Sequence, residues 1–126
     1  MSVTQGNKAA RFRELHAGPA AFIIPNPWDA GSARVLAGLG FEALATSSGA
    51  SAGTLGRRDG RVSREEALAH AKAIVEATDL PVSADLEKGF GDSPEVVAET
   101  VRLAAGVGLV GCSIEDATRS VAWPNS

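Results

Sequence analysis

Pro81-Val82-Ser83-Ala84-Asp85-Leu86-Glu87-Lys88-Gly89-Phe90-Gly91-Asp92 is the stretch around which the chain is organised. Val82, Ala84 and Leu86 alternate with Ser83, Asp85 and Glu87 at a period of two, the pattern of a strand with one apolar face. A helical pattern precedes the stretch and another follows Ser93-Pro94, so the spacing predicts a parallel strand between two helices. The opposite face carries Ser83, Asp85 and Glu87. Carboxylates at i and i+2 near the C-terminal end of such a strand project to one side, and like charges that close resist sharing a dry site unless a cation or proton neutralises them. Two readings stand: a solvated edge strand, or a hard-cation site facing the middle of a barrel.

A chain of 126 residues is one domain at most. It is long enough to bury on the order of two thirds of its unfolded surface. Twelve Lys and Arg against 15 Asp and Glu give a net charge of −3 with no basic block, which argues against nucleic acid as a partner, since phosphate binding needs clustered cations. The single cysteine, Cys112, excludes an internal disulfide framework and suits a reducing compartment. No apolar run approaches the roughly 18 residues of a membrane span. Met1 to Ala10 lack the apolar segment of a secretory signal, and the expectation is a soluble, cytoplasmic protein.

In chain order, residues 1–10 read as a loose tail, and Ala9 to Ala17 as a short helix with Phe12 and Leu15 turned inward and His16 at its surface or cap. Ala20 to Ile24 is a continuous apolar run ended by Pro25-Asn26-Pro27, the pattern of a buried strand and a sharp turn. Asp29 can cap a helix from Ala30 to Leu39 with Val35, Leu36 and Leu39 inward, stopped by Gly40. Phe41 to Thr46 makes a second strand. It runs into Ser47 to Gly53, a small-residue loop whose backbone can approach a ligand and whose N–H groups can hold an anion, or else an ordinary turn. Ser63 and Glu66 form a capping box for a helix to about Thr78, with Leu68, Ala71, Ile74 and Val75 on one face and His70 at its boundary. Ser93-Pro94 starts a helix carrying Val97, Val101 and Leu103. Leu109 to Asp116 is the fourth strand, with Ser113 and Glu115 on one face and Cys112 buried as a small hydrophobe on the other. Thr118 to Ser126 shows no periodicity.

Strand and helix thus alternate four times, which gives a parallel sheet with ligands at the C-terminal ends of its strands. The polar residues fall there: Asn26 and Asp29, Ser47 to Gly49, Asp85 and Glu87, and Glu115, with Asp59 in the loop after the second strand. An oxygen-rich set without His or Cys suits a small hard cation, Mg²⁺ before Zn²⁺.

Five segments in this order carry a resemblance: P-N-P-W-D-A-G-S-A at 25–33, T-S-S-G at 46–49, L-G-R-R-D-G at 55–60, S-A-D-L-E-K-G-F-G-D at 83–92 and G-C-S-I-E-D at 111–116. From Phe22 to about Thr118 the chain resembles the isocitrate lyase/phosphoenolpyruvate mutase superfamily, and most of all its small bacterial members. The resemblance implies an α/β fold, a parallel (β/α) barrel of the TIM type, of which residues 1–126 form a single partial domain of about four βα units. It implies chemistry at a C–C or P–C bond beside a 2-oxo or 2-hydroxy acid, through an enolate-like oxyanion stabilised by Mg²⁺ and backbone amides. Carried over by position, Asp85 is the direct Mg²⁺ ligand, and Asp59, Glu87 and Glu115 hold its waters. Ser47, Ser48 and Gly49 bind the carboxylate and oxyanion, with Trp28 and Asp29 beside the substrate. Ser48 stands where many members have glycine, which narrows the pocket.

The resemblance also places a catalytic loop right after Glu115 and a substrate-gripping arginine on a later strand, and Arg119 and the residues beyond it do not match that continuation. The expected reading is a truncated lyase-type enzyme, weakly active or inactive alone. Its partners are then a small-molecule carboxylic acid and, because half a barrel leaves two open edges, a further copy in a homo-oligomer, with no nucleic acid and no membrane. A non-catalytic half-barrel serving as an oligomerisation or interaction module is the alternative, and a phosphate-binding module built on Ser47 to Gly53 is a third.

Overall fold

Three parallel strands, each reached through helices, form the centre of the computed structural model, which describes residues 3–117. In chain order the elements are α1 (Gln5–Ala17), α2 (Ala30–Gly38), β1 (Leu44–Ala45), α3 (Ser48–Thr54), α4 (Arg64–Ala77), β2 (Val82–Asp85), α5 (Pro94–Gly106) and β3 (Gly111–Ser113). The sheet order is β1-β2-β3, with Leu44 opposite Val82, Ser83 opposite Gly111 and Asp85 opposite Ser113. The sheet is open, and no closed barrel is formed by the described residues. No helix among them is long and apolar enough to cross a membrane.

Local chemistry sets the helix starts. The Ser63 hydroxyl accepts from the Glu66 N–H while the Glu66 carboxylate accepts from the Ser63 N–H, the reciprocal box read from the sequence. Ser93 caps α5 ahead of Pro94, whose missing N–H costs nothing at the first helical position. Asp29 caps α2 through the Ser32 N–H at 2.8 Å. α4 then lays Leu68, Ala71, Ile74 and Val75 against Val82, Ala84 and Leu86, so that the apolar side of β2 is closed off. Leu44, Ile74, Val82 and Leu86 are almost wholly removed from water, each contributing about 1.5–3 kcal/mol of burial.

The other face of the sheet is covered at one end by α1. The Lys8 Nζ, on a buried side chain, donates to the Thr78 carbonyl at the C-terminus of α4, where the helix dipole favours a cation. Gln5 Nε2 donates to the carbonyls of Ala105 and Leu109, ahead of β3. Arg11 pairs with Glu42, ahead of β1. Phe12 lies so close to the sheet that a Cβ on Gly111 would sit 2.8 Å from its ring and 3.1 Å from Ser83 Oγ, which is why no larger residue fits at 111. α1 therefore spans the N-terminal ends of all three strands and leaves their C-terminal ends to the site.

Several expectations are corrected. The helix at the start begins at Gln5, capped by Thr4, and takes in residues 5–10 of the expected tail. Ala20 to Ile24 forms no strand: Pro25 and Pro27 offer no N–H, the chain here meets β1 through the Ala45 N–H, which donates to the Pro25 carbonyl at 3.1 Å, and Ile23 is 73% exposed. Ser47 to Gly53 is no loop, because Ser47 caps a seven-residue helix there. Val35 and Leu39 point outward, and the inner face of α2 is Ala33 and Leu36. Within α5 the buried positions are Thr100 and Ala104, while Val101 is exposed. Cys112 is exposed, since β3 is an edge strand with a neighbour on one side only. The expected irregular end from Thr118, with Arg119, lies outside the described residues.

Thr100, fully buried, donates from Oγ1 to the Gly89 carbonyl at 2.7 Å and so pins the turn after β2 to α5. Thr100→Val is expected to lower stability by about 1–3 kcal/mol in urea unfolding, and Thr100→Ser by less. The Arg57 guanidinium and then the Ser63 N–H hold the Glu66 carboxyl down to about 2 from its ordinary 4.5. A depressed carboxylate stabilises the fold above its unfolded value and loses that contribution as pH falls. Acid unfolding of Glu66→Gln between pH 4.5 and 2 should therefore be shallower than that of the wild-type chain.

Candidate metal and oxyanion site

The chain beyond β2 turns back on its own carboxylate. Asp85 Oδ1 accepts from the Glu87 N–H at 3.0 Å, an Asx turn of the kind aspartate favours. Asp85 Oδ2 accepts from the Ser48 N–H at 3.2 Å, the first amide of α3, which as an early helical N–H has no intrahelical partner. The Asp85 N–H in turn donates to Thr46 Oγ1 at 3.2 Å. Each oxygen keeps a lone pair after these bonds, so the carboxylate is aimed without being used up.

Glu87 is 6% exposed and adopts φ 55°, in the left-handed region that a glutamate visits at a cost of order 1–3 kcal/mol. Phe90 at φ 64° and Gly89 at φ 89° continue the same tight turn. Such strain persists where the surroundings over-determine it, and here the Asp85 side chain, the Thr100 hydroxyl and the Glu115 N–H, which donates to the Glu87 carbonyl at 2.7 Å, all hold the turn.

The other expected residues fall as follows. Ser47 caps α3 by accepting from the Ala50 N–H at 3.3 Å. Gly49 lies exposed on the first turn of α3, and a Cβ there would sit 3.9 Å from Ser47 Oγ and 4.0 Å from Asp59 Oδ2, so Asp59 reaches the mouth from its loop. Asp85, Glu87 and Ser48 line one small cavity between α3, α4 and β2. Glu115 is exposed and lines the adjoining groove with Lys88 and Asp92. Trp28 is 57% exposed, with its indole against Gly53 of α3. Asp29 caps α2, and the N–H and hydroxyl of Ser32, helped by the nearby His70, hold its carboxyl below the usual range.

Among the described residues no three His, Cys, Asp or Glu side chains gather closely enough to hold a metal directly. A cage of carboxylates is therefore not what the described residues build. Mg²⁺ is commonly held through one or two carboxylates and its own water shell. The donors present would fit that mode, with Asp85 the carboxylate that has lone pairs to offer, Glu87 lining the same small cavity and Asp59 reaching toward Gly49.

Three residues escape the sequence reading. Thr46 fixes the backbone of Asp85. His70 Nε2 lies 2.7 Å from the Trp28 carbonyl. Ser51 Oγ is buried without a partner beside the same cavity. The position of Thr46 at the C-terminal end of β1 was a usable signal, whereas the other two depend on contacts between segments far apart in the chain.

Residues 12–125 match the profile described as phosphoenolpyruvate phosphomutase. The 2,3-dimethylmalate lyase of Eubacterium barkeri is 40% identical over 112 residues, 87% of this chain and 38% of that protein. The 2-methylisocitrate lyase of Halalkalibacterium halodurans is 37% identical over 114 residues, 90% of this chain and 38% of that one. A crystal structure from Burkholderia cenocepacia J2315, provisionally described as a lyase/mutase, is 59% identical with a TM-score of 0.91, covering 92% of this chain and 42% of its own. The chain thus spans about two fifths of the length of the curated relatives it matches. On this likeness, which runs through all of the strands and the site between them, the chain belongs to the phosphoenolpyruvate phosphomutase/isocitrate lyase superfamily.

Proposed function

We propose that this chain carries the metal and oxyanion portion of a Mg²⁺-dependent lyase-type enzyme acting on a small 2-oxo or 2-hydroxy acid, built on the first units of a (β/α) barrel. The observation that carries the reading is the Asp85 carboxylate, aimed at the C-terminal end of β2 by two backbone N–H groups from different segments. Held there, a divalent cation would supply positive charge to an oxyanion developing beside the acid.

The chain's own groups do the rest. Ser48 and Glu87 keep Asp85 in place through their N–H groups, so no reorganisation is needed when charge appears. The Gly49 N–H, second in α3 and without an intrahelical acceptor, is the donor available to a substrate oxygen. Trp28 offers an apolar wall beside that mouth and helps to exclude water. Asp59, Glu87 and Glu115 would hold the water shell of that cation. The relatives named above are lyases and a lyase/mutase, which supports the reaction class.

Titration of the 126-residue chain with Mg²⁺ in the presence of oxalate, followed by calorimetry, tests this directly. Binding by the wild-type chain and a loss of at least about tenfold in Asp85→Asn are expected, in the range reported when groups supporting a metal are removed. A wild-type chain that binds neither, or an Asp85→Asn chain that binds equally well, overturns the reading.

The exposed Ile23, Val35, Leu39 and Ile114 favour a second reading, in which the chain acts through association with further copies. Light scattering should then show a discrete dimer at micromolar concentration, and a monomer at all concentrations would remove this reading while leaving the first intact.

A further inference from the structure

Trp28 presents a puzzle of placement: a side chain more than half exposed, on a turn between an extended segment and α2, still lies squarely on α3. Packing alone does not hold it. Its backbone is tethered on both sides. The Trp28 N–H donates to Ser32 Oγ at 2.9 Å, within the cap of α2. The Trp28 carbonyl receives His70 Nε2 at 2.7 Å, from the middle of α4, 42 residues away. A carbonyl oxygen only accepts, so Nε2 carries the proton in this contact and the neutral ring is the Nε2–H tautomer.

We propose that His70 is a positioning residue of the site, holding the Trp28 turn by an Nε2–H hydrogen bond to the Trp28 carbonyl and so setting the indole against Gly53 of α3, the helix whose first N–H holds Asp85. The geometry links four elements in sequence. α4 supplies the donor, the Trp28 turn the acceptor, α3 the surface under the indole, and α3 in turn donates the Ser48 N–H to Asp85. His70 also lines the cavity that Asp85, Glu87 and Ser48 share, where the buried Ser51 Oγ lacks a partner. An imidazole there has a lone pair on Nδ1 to offer that cavity once Nε2 is committed. The consequence for ligand affinity rests on the proposed carboxylic-acid site, whereas the placement of Trp28 does not.

The chain has two tryptophans, so a Trp123→Phe background makes Trp28 the sole indole. In that background His70→Leu should raise the acrylamide quenching of Trp28 about twofold or more and weaken Mg²⁺–oxalate binding about three- to tenfold, the range of one neutral hydrogen bond. His70→Gln, which keeps a donor, should recover most of both. Quenching in His70→Leu equal to that of the parent overturns the inference. A parent that binds no oxalate defeats the proposed function only, because the quenching arm still reports on the turn. Should His70→Leu fail to fold, ¹⁵N-edited spectra of the wild-type imidazoles decide: His70 should be the Nε2–H tautomer, opposite to His16, whose Nδ1 faces the Phe12 carbonyl at 2.8 Å. An Nδ1–H tautomer at His70 overturns the inference.

Discussion

A single carboxylate, Asp85, accepts hydrogen bonds from two backbone amides that belong to different parts of the chain, one at the start of α3 and one in the turn after β2. Both amides are of the kind that folding leaves without a regular partner. Were Asp85 replaced by an apolar residue, the Ser48 N–H and the Glu87 N–H would each be buried or half-buried donors lacking an acceptor, at about 1–3 kcal/mol apiece. The same contacts also fix which way α3 runs from the sheet and where the left-handed Glu87 sits. The fold thus leans on these two bonds, and the negative charge of the carboxylate strengthens both of them.

What could be read in advance and what could not divides along the range of the forces involved. The capping box at Ser63 and Glu66 and the Ser93-Pro94 start are contained within four residues, and both are formed as read. The alternation through Val82, Ala84 and Leu86 is also local, and the burial of β2 follows it, with Val82 and Ala84 buried and Ser83 and Asp85 half-buried. At Glu87 the positive φ ends that alternation, so a period of two no longer says where the side chain goes. Cys112 was misjudged for a different reason: its apolarity is a property of the residue, whereas its burial depends on what lies across β3. The seven residues of α3 are too few to show a helical period, and their glycines and serines look like a loop until the Ser47 cap is seen. His70 and Trp28 are 42 positions apart, and nothing in either segment announces the other.

Family membership and physical reading support each other unevenly. The likeness to lyases rests on whole segments and covers nearly all of this chain, but only about two fifths of theirs. The residues gathered at the mouth, Ser48, Asp85 and Glu87, stand on their own geometry. Glu115 is the member of the expected set that geometry separates from them, since its backbone joins the Glu87 turn while its side chain lies with Lys88 and Asp92.

The crossing of α1 beneath the three strands has a consequence for traffic. With Phe12 pressed on Gly111, Gln5 bonded ahead of β3 and Lys8 bonded ahead of β2, the floor of the sheet is shut by side chains whose job is mechanical. A ligand of the proposed site would then approach from the rim at the C-terminal ends of the strands and not from beneath them.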